Sequence, residues 1–134
     1  MKPQTRMVRL SDLNPKLLVH TGNSSARFVD TIKEANGISF LCPLCFLANE
    51  RSSVGVHSIK CWSPGVPDDV VPGPGRWSIA GTSIDDLSLF AKSSSVHLLE
   101  GCRWHGYVQK GWCHTDLSDA RIRQVQKMWL EGRH

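Results

Sequence analysis

No apolar run in the sequence approaches the roughly 20 residues of a membrane span, so a transmembrane protein is not expected. The start, Met1-Lys2-Pro3-Gln4-Thr5-Arg6, is basic but is followed by neither an apolar stretch nor a small-residue cleavage site. A signal peptide is therefore not expected, and a reducing cytosol is the expected setting. An excess of one charge is missing too: 16 basic side chains against 12 acidic ones leave a formal net charge of +4. That balance tolerates a nucleic-acid or acidic protein partner without demanding one, because solubility alone selects a charge of this size. Internal repeats are absent, as is any grouping of nucleophile with base. A binding protein is thus expected before an enzyme. With 134 residues, 40% hydrophobic and 21% charged, residues 1–134 read as one globular domain with a moderate core.

What the chain does have is cysteine. Five cysteines in a reducing compartment point to metal binding rather than to disulfides. Cys42-Pro43-Leu44-Cys45 and, far downstream, Cys102-Arg103-Trp104-His105 each space two donors three residues apart. A tight turn can aim such a pair at one ion. Together Cys42, Cys45, Cys102 and His105 supply the three thiolates and one imidazole that close a tetrahedral Zn2+ site, and a closed site is usually structural. Two other readings stand beside this one. Cys42 and Cys45 could form a redox dithiol, which requires a helix after the pair and a βαβ setting; Pro43 and Phe46 do not announce such a helix. The thiols could also be plain core residues.

Other donors are weighed the same way. His57 is a candidate to support or replace a ligand, with an ordinary strand histidine as the alternative. His57 and Cys61 would face one side of a strand about 13 Å apart, too far for a joint pair. Cys113-His114 follows a hairpin and is expected to be partly exposed. Asp85 and Asp86 would matter only beside an open metal position; a surface acidic turn is the simpler reading. A zinc hydrolase would need His57 or His114 near a metal with three protein ligands.

Along the chain, period-two segments dominate. Arg6 to Leu10 reads as a short extended piece, with a bend at Asn14-Pro15. Strands are expected at residues 27–33, at 37–41 after the Asn36-Gly37 turn, and at 54–62. Further strands are expected at 76–80, 87–90 and 96–99, and a hairpin at 106–112 turning at Lys110-Gly111. Residues 63–75 hold four prolines and three glycines and read as a surface loop lengthened by insertion. From Leu117 the period changes: Leu117, Ile122, Val125, Met128 and Trp129 fall mostly on one helical face, with Asp116 or Ser118 able to cap the start. The expected fold is α+β and mostly β: an antiparallel zinc-stabilised core over about residues 27–113, then an amphipathic helix over about 117–131.

Surface residues suggest partners. Arg121, Arg123 and Lys127 lie on the polar side of the last helix and form a candidate contact surface. Among five tryptophans, Trp62 borders the Pro/Gly loop beside Lys60 and Arg76. An exposed ring there would stack a base or anchor a protein; a buried tryptophan is the commoner case.

Gly37 to Cys45 (GISFLCPLC), the following His57, the Trp77 strand, Thr82 to Leu89 and Gly101 to Gly111 (GCRWHGYVQKG) occur in an order that resembles a family. The family is a group of small phage and prophage proteins of unknown function, often mislabelled "ammonia monooxygenase". Arg9 to Pro15 (RLSDLNP) resembles their common opening stretch. The resemblance covers most of the chain from Arg9 to about Trp112. It implies a zinc-bound β domain with Cys42, Cys45, Cys102 and His105 as ligands; a host or defence protein in the host cytoplasm is the partner expected of a closed metal site without a nucleophile–base grouping. A copper-type ligand cluster, which monooxygenase chemistry would need, is absent. The chain departs from the family pattern at the 63–75 loop, at Leu87-Ser88-Leu89 where the family has Pro-Ser-Ile, and in its C-terminal helix.

Overall fold

The computed structural model describes residues 4–22, 25–67, 69–72, 75–91, 96–97, 104–117 and 119–131. The fold is mostly antiparallel β, as expected, with two α-helices and two short 3-10 turns among the described residues. Its strands are β1 (Gln4–Arg9), β2 (Lys16–Gly22), β3 (Ser25–Val29), β4 (Gly37–Leu41) and β5 (Ser58–Trp62), followed by β6 (Ser78–Ala80), β7 (Ser88–Phe90), β8 (Val96–His97), β9 (His105–Gln109) and β10 (Trp112–Leu117). Helix α1 spans Pro43–Ala48 and helix α2 spans Asp119–Leu130. One four-stranded sheet has the order β1-β10-β9-β8, a second has β3-β2-β4-β5, and β6-β7 form a small ribbon. Strands begin at Gln4, not near residue 27. The extended N-terminal piece is a full edge strand, because Gln4 to Arg9 pair with Leu117 to Trp112 along their whole length.

One apolar cluster draws on both sheets and on α1: Val8 and Leu10, Ile38 and Phe40, Leu44 and Phe46, Trp104 and Val108 are all buried in it. Trp104 meets Phe40 edge to face, with ring centroids 6.1 Å apart, a contact worth about 1 kcal/mol beyond its area. Its indole N–H donates to the buried Thr115 hydroxyl. Two strands differ from expectation in their neighbours. Asn36-Gly37 does not join β3 to β4 as a hairpin, since β2 lies between them. Asn36 instead ties strands together: its side chain accepts from His20 N–H at 2.9 Å and its own N–H donates to the Leu18 carbonyl at 2.9 Å. Gly37 is needed because the ring of its cross-strand partner Trp62 occupies the space a Cβ would fill.

The 63–75 loop is more ordered than its composition suggests. Val66 and Val70 fold back onto Leu18 and Trp62 to make a second small core, and Trp62 donates its indole N–H to the Val71 carbonyl at 2.9 Å. Trp62 is therefore buried, 3% exposed; of its two readings the buried one holds, and its place among the candidate binding residues is corrected. Arg76 closes the loop. Its guanidinium donates to the carbonyls of Val66, Pro67, Val70, Pro72 and Gly75 over 2.6–3.3 Å. Five carbonyls matched by five N–H donors suit the rigid fork of arginine and not the single ammonium of lysine.

The turn between β6 and β7 is closed by Asp86. Its carboxylate accepts from Ser83 N–H and Thr82 N–H, each at 2.8 Å, and from the Thr82 hydroxyl at 2.7 Å. The turn from β9 to β10 docks beside it: Gly111, at φ +81, places its Cα where any side chain would run into the Asp85 carbonyl. Gly111 N–H donates to Leu87 O at 2.8 Å, and its carbonyl accepts from Leu10 N–H at 2.9 Å.

Two outcomes test this account. Arg76→Lys should lower stability by about 1–3 kcal/mol and speed hydrogen exchange at the Val66 and Val70 amides, read by mass spectrometry. The hydrogen bonds from Ser83, then Thr82, hold the Asp86 carboxyl below its ordinary value of 3.8. A depressed folded value stabilises the protein above the unfolded value and is lost as pH falls through the folded one. Asp86→Asn should therefore melt lower than the parent at neutral pH, with the difference closing as pH drops below about 4.

Candidate metal centre

Cys42 follows β4 directly and stands at the N-cap of α1, with Pro43 in the first turn where its missing N–H costs nothing. Phe46 N–H donates to the Cys42 carbonyl at 3.0 Å, and Asn49 N–H to the Cys45 carbonyl at 2.9 Å. One helical turn thus brings Cys45 back to the side of Cys42. The expectation that no helix follows the pair is corrected: α1 is present, and it is the short helix itself that aligns the two sulfurs.

The third donor arrives from β5. The β4–β5 ladder pairs Leu41 with Ser58, and the next step, Cys42 N–H to His57 O at 2.9 Å, extends it by one residue. His57 is therefore the cross-strand neighbour of Cys42. The ligand atoms of Cys42, Cys45 and His57 lie within 4.8 Å of one another, and the group could hold a metal ion. An ion about 2.3 Å from each sulfur and about 2.0 Å from nitrogen needs donors this close. Both cysteines are 0% exposed and His57 is half-buried.

The other expected donors fall elsewhere. His105 lies on β9 opposite His97, on the exposed side of a strand whose Gly106 and Val108 face inward; it is not in the group. Cys102 lies outside the described residues. Cys61 and Cys113 are buried within the main apolar cluster, also outside the group. The partial exposure expected of Cys113 is corrected, since alternation along β10 turns it inward beside Val108. Burial pushes the Cys113 thiol up to about 12, and burial followed by the neighbouring Cys113 drives Cys61 higher still. Both stay protonated at neutral pH and are poor ligands and nucleophiles. None of the four described cysteines is in a disulfide.

The redox reading loses ground on different terms from those expected. A helix does follow the pair, but the sheets around it are antiparallel, and an imidazole sits against both sulfurs. Residue spacing alone gives His57 no fixed partner. The signal for it was present as two strands flanking a short helix, but only their register puts residue 57 opposite residue 42.

Helix α2 docks on α1. Val125 is fully buried, and the Gln126 amide donates to the Ala48 carbonyl at 3.2 Å. Arg123 and Lys127 are exposed, with Lys127 3.9 Å from Glu131 one turn on. The side chain of Arg121 is outside the described set. No described helix is long and apolar enough to cross a membrane.

Comparison of the chain with protein-family models, with curated proteins and with solved structures yields no match.

The geometry separates two histidines. His57→Ala should lower metal affinity by tenfold or more, on the order seen when a ligand's support is lost, whereas His105→Ala should leave it unchanged. Competition against a chromophoric chelator measures both.

Proposed function

We propose that this chain is a zinc-binding domain without catalytic activity, which acts by binding a macromolecule in the host cytoplasm. The observation that carries the reading is the convergence of Cys42, Cys45 and His57 within 4.8 Å. Two thiolates and an imidazole are a donor set that suits zinc better than the hard cations. Cys102 is the proposed fourth ligand. The chain tether supports it: Cys102 is two residues from Trp104, whose ring meets Phe40, and Phe40 is two residues from Cys42. Four protein ligands leave no place for a reacting water, and the described group contains no carboxylate to act as a base. A structural role follows.

The closed donor set, together with the surface elements added at the 63–75 loop and the C-terminal helix, supports a host or defence protein as the partner. The exposed side of α2 is the proposed contact, since Arg123 and Lys127 stand clear of the core while Val125 anchors the helix. The same two cations support a second reading, in which α2 lies along a nucleic-acid backbone.

Elemental analysis of the purified protein should find one zinc per chain. Chelation, or Cys42→Ser, should then abolish the cooperative melt, because binding of a structural zinc is part of the folding free energy. Absence of stoichiometric metal, or an unchanged melt after chelation, would overturn the reading. Replacing Arg121 and Arg123 together by alanine should leave melting unchanged and weaken the partner.

A further inference from the structure

The metal centre leaves unused the outward face of the sheet β1-β10-β9-β8. Alternation sends Val8, Cys113 and Val108 inward. Met7, Arg9, Trp112, His114, Tyr107 and Gln109 occupy the other side. Register aligns them in two rows across three strands, Arg9–Trp112–Gln109 and Met7–His114–Tyr107. The rows are about 7 Å apart along the strands. In the first, the Arg9 guanidinium lies 4.4 Å over the Trp112 ring. In the second, the Tyr107 and His114 rings stack at 4.5 Å with 10° between their planes.

These rings lie on the two middle strands of the sheet, Tyr107 exposed and Trp112 and His114 half-buried. Tyr107 is 40% exposed and Met7 46% exposed, so the core does not account for them. A hydrophobic protein partner matches the face poorly, since Arg9 crosses it and Gln109 borders it. Unpaired bases match it well. Flat aromatic rings and an arginine plane held on a ring are both surfaces on which bases stack without regard to sequence. The charge is complementary as well: Arg9 and the exposed Lys110 at the hairpin tip flank the rings, and the described side chains of the two rows include no carboxylate. Asp116 is paired with Thr5 one step further along the β1–β10 register.

We propose that this sheet face binds single-stranded nucleic acid, one base stacking on the Arg9–Trp112 pair and another on the Tyr107–His114 pair. Arg9 and Lys110 meet the phosphates. The surface is separate from α2, and the inference rests on the reading of the chain as a folded binding domain.

The test is fluorescence anisotropy of a labelled oligodeoxythymidylate and an oligouridylate, titrated with the full chain over a salt series. A duplex of equal length, the metal content and the melt of every sample are measured alongside. Tyr107→Ala and Arg9→Gln should keep the parent's melt and metal and each weaken single-strand binding about tenfold. Phe28→Ala, which removes a ring 70% exposed on the other sheet, should bind as the parent does. Binding should weaken with salt and favour single strands over duplex. A metal-replete parent that binds neither oligonucleotide overturns the proposal, as does equal affinity for duplex or equal behaviour of Tyr107→Ala and Phe28→Ala. Tyr107-dependent binding by folded protein without metal supports the sheet face and overturns the zinc reading instead.

Discussion

The antiparallel ladder between β4 and β5 is the constraint on which the rest of the structure depends. It runs from Gly37–Trp62 to Leu41–Ser58 and is prolonged by the hydrogen bond from Cys42 N–H to His57 O. At one end it presses the Trp62 ring onto Gly37 and so seeds the small core under the 63–75 loop. At the other it delivers His57 to the mouth of α1, where Cys42 and Cys45 already face the same way. Shift that register by one residue and every side chain of β5 changes face. The donor group and the loop core would both be lost.

All four described cysteines lie in one apolar cluster around this ladder, and they differ in whether an imidazole is at hand. Cys42 and Cys45 lie at a strand-to-helix junction beside an imidazole, where a cation would hold them as thiolates. Cys61 and Cys113 lie in apolar surroundings that keep them protonated. Identical residues thus have different neighbours: Cys42 and Cys45 meet His57 in a group that could hold a metal ion, whereas Cys61 and Cys113 lie outside that group. Helix α2 takes part indirectly, since its buried Val125 and the Gln126–Ala48 bond rest on the helix that carries Cys45.

The two sheets have different outer surfaces. The β3 edge of one shows scattered polar residues and a lone Phe28 with Lys16 near its ring. The middle strands of the other present ordered pairs of rings and a guanidinium in adjacent rows. Cross-strand register creates this order, because residues 9 and 112, or 107 and 114, meet only when β1, β10 and β9 align.

Much was legible in the residues alone. Period-two alternation marked β4, β5 and the Lys110-Gly111 hairpin, and the change of period near residue 117 marked α2, because each pattern follows from local backbone geometry. The CxxC spacing identified Cys42 and Cys45 as donors, since three residues along one chain set how near two sulfurs can come. The partner donor was not local. Spacing favours His105 as the imidazole and leaves His57 as a candidate to support or replace it; strand register turns His105 outward and brings His57 to Cys42. The same holds for Trp62 and the proline-rich loop, whose composition signals irregular backbone but not that Arg76 would gather five carbonyls over a buried ring. Local spacing is set by covalent geometry, and long-range pairing by which strands share hydrogen bonds, so only the folded chain could decide the second.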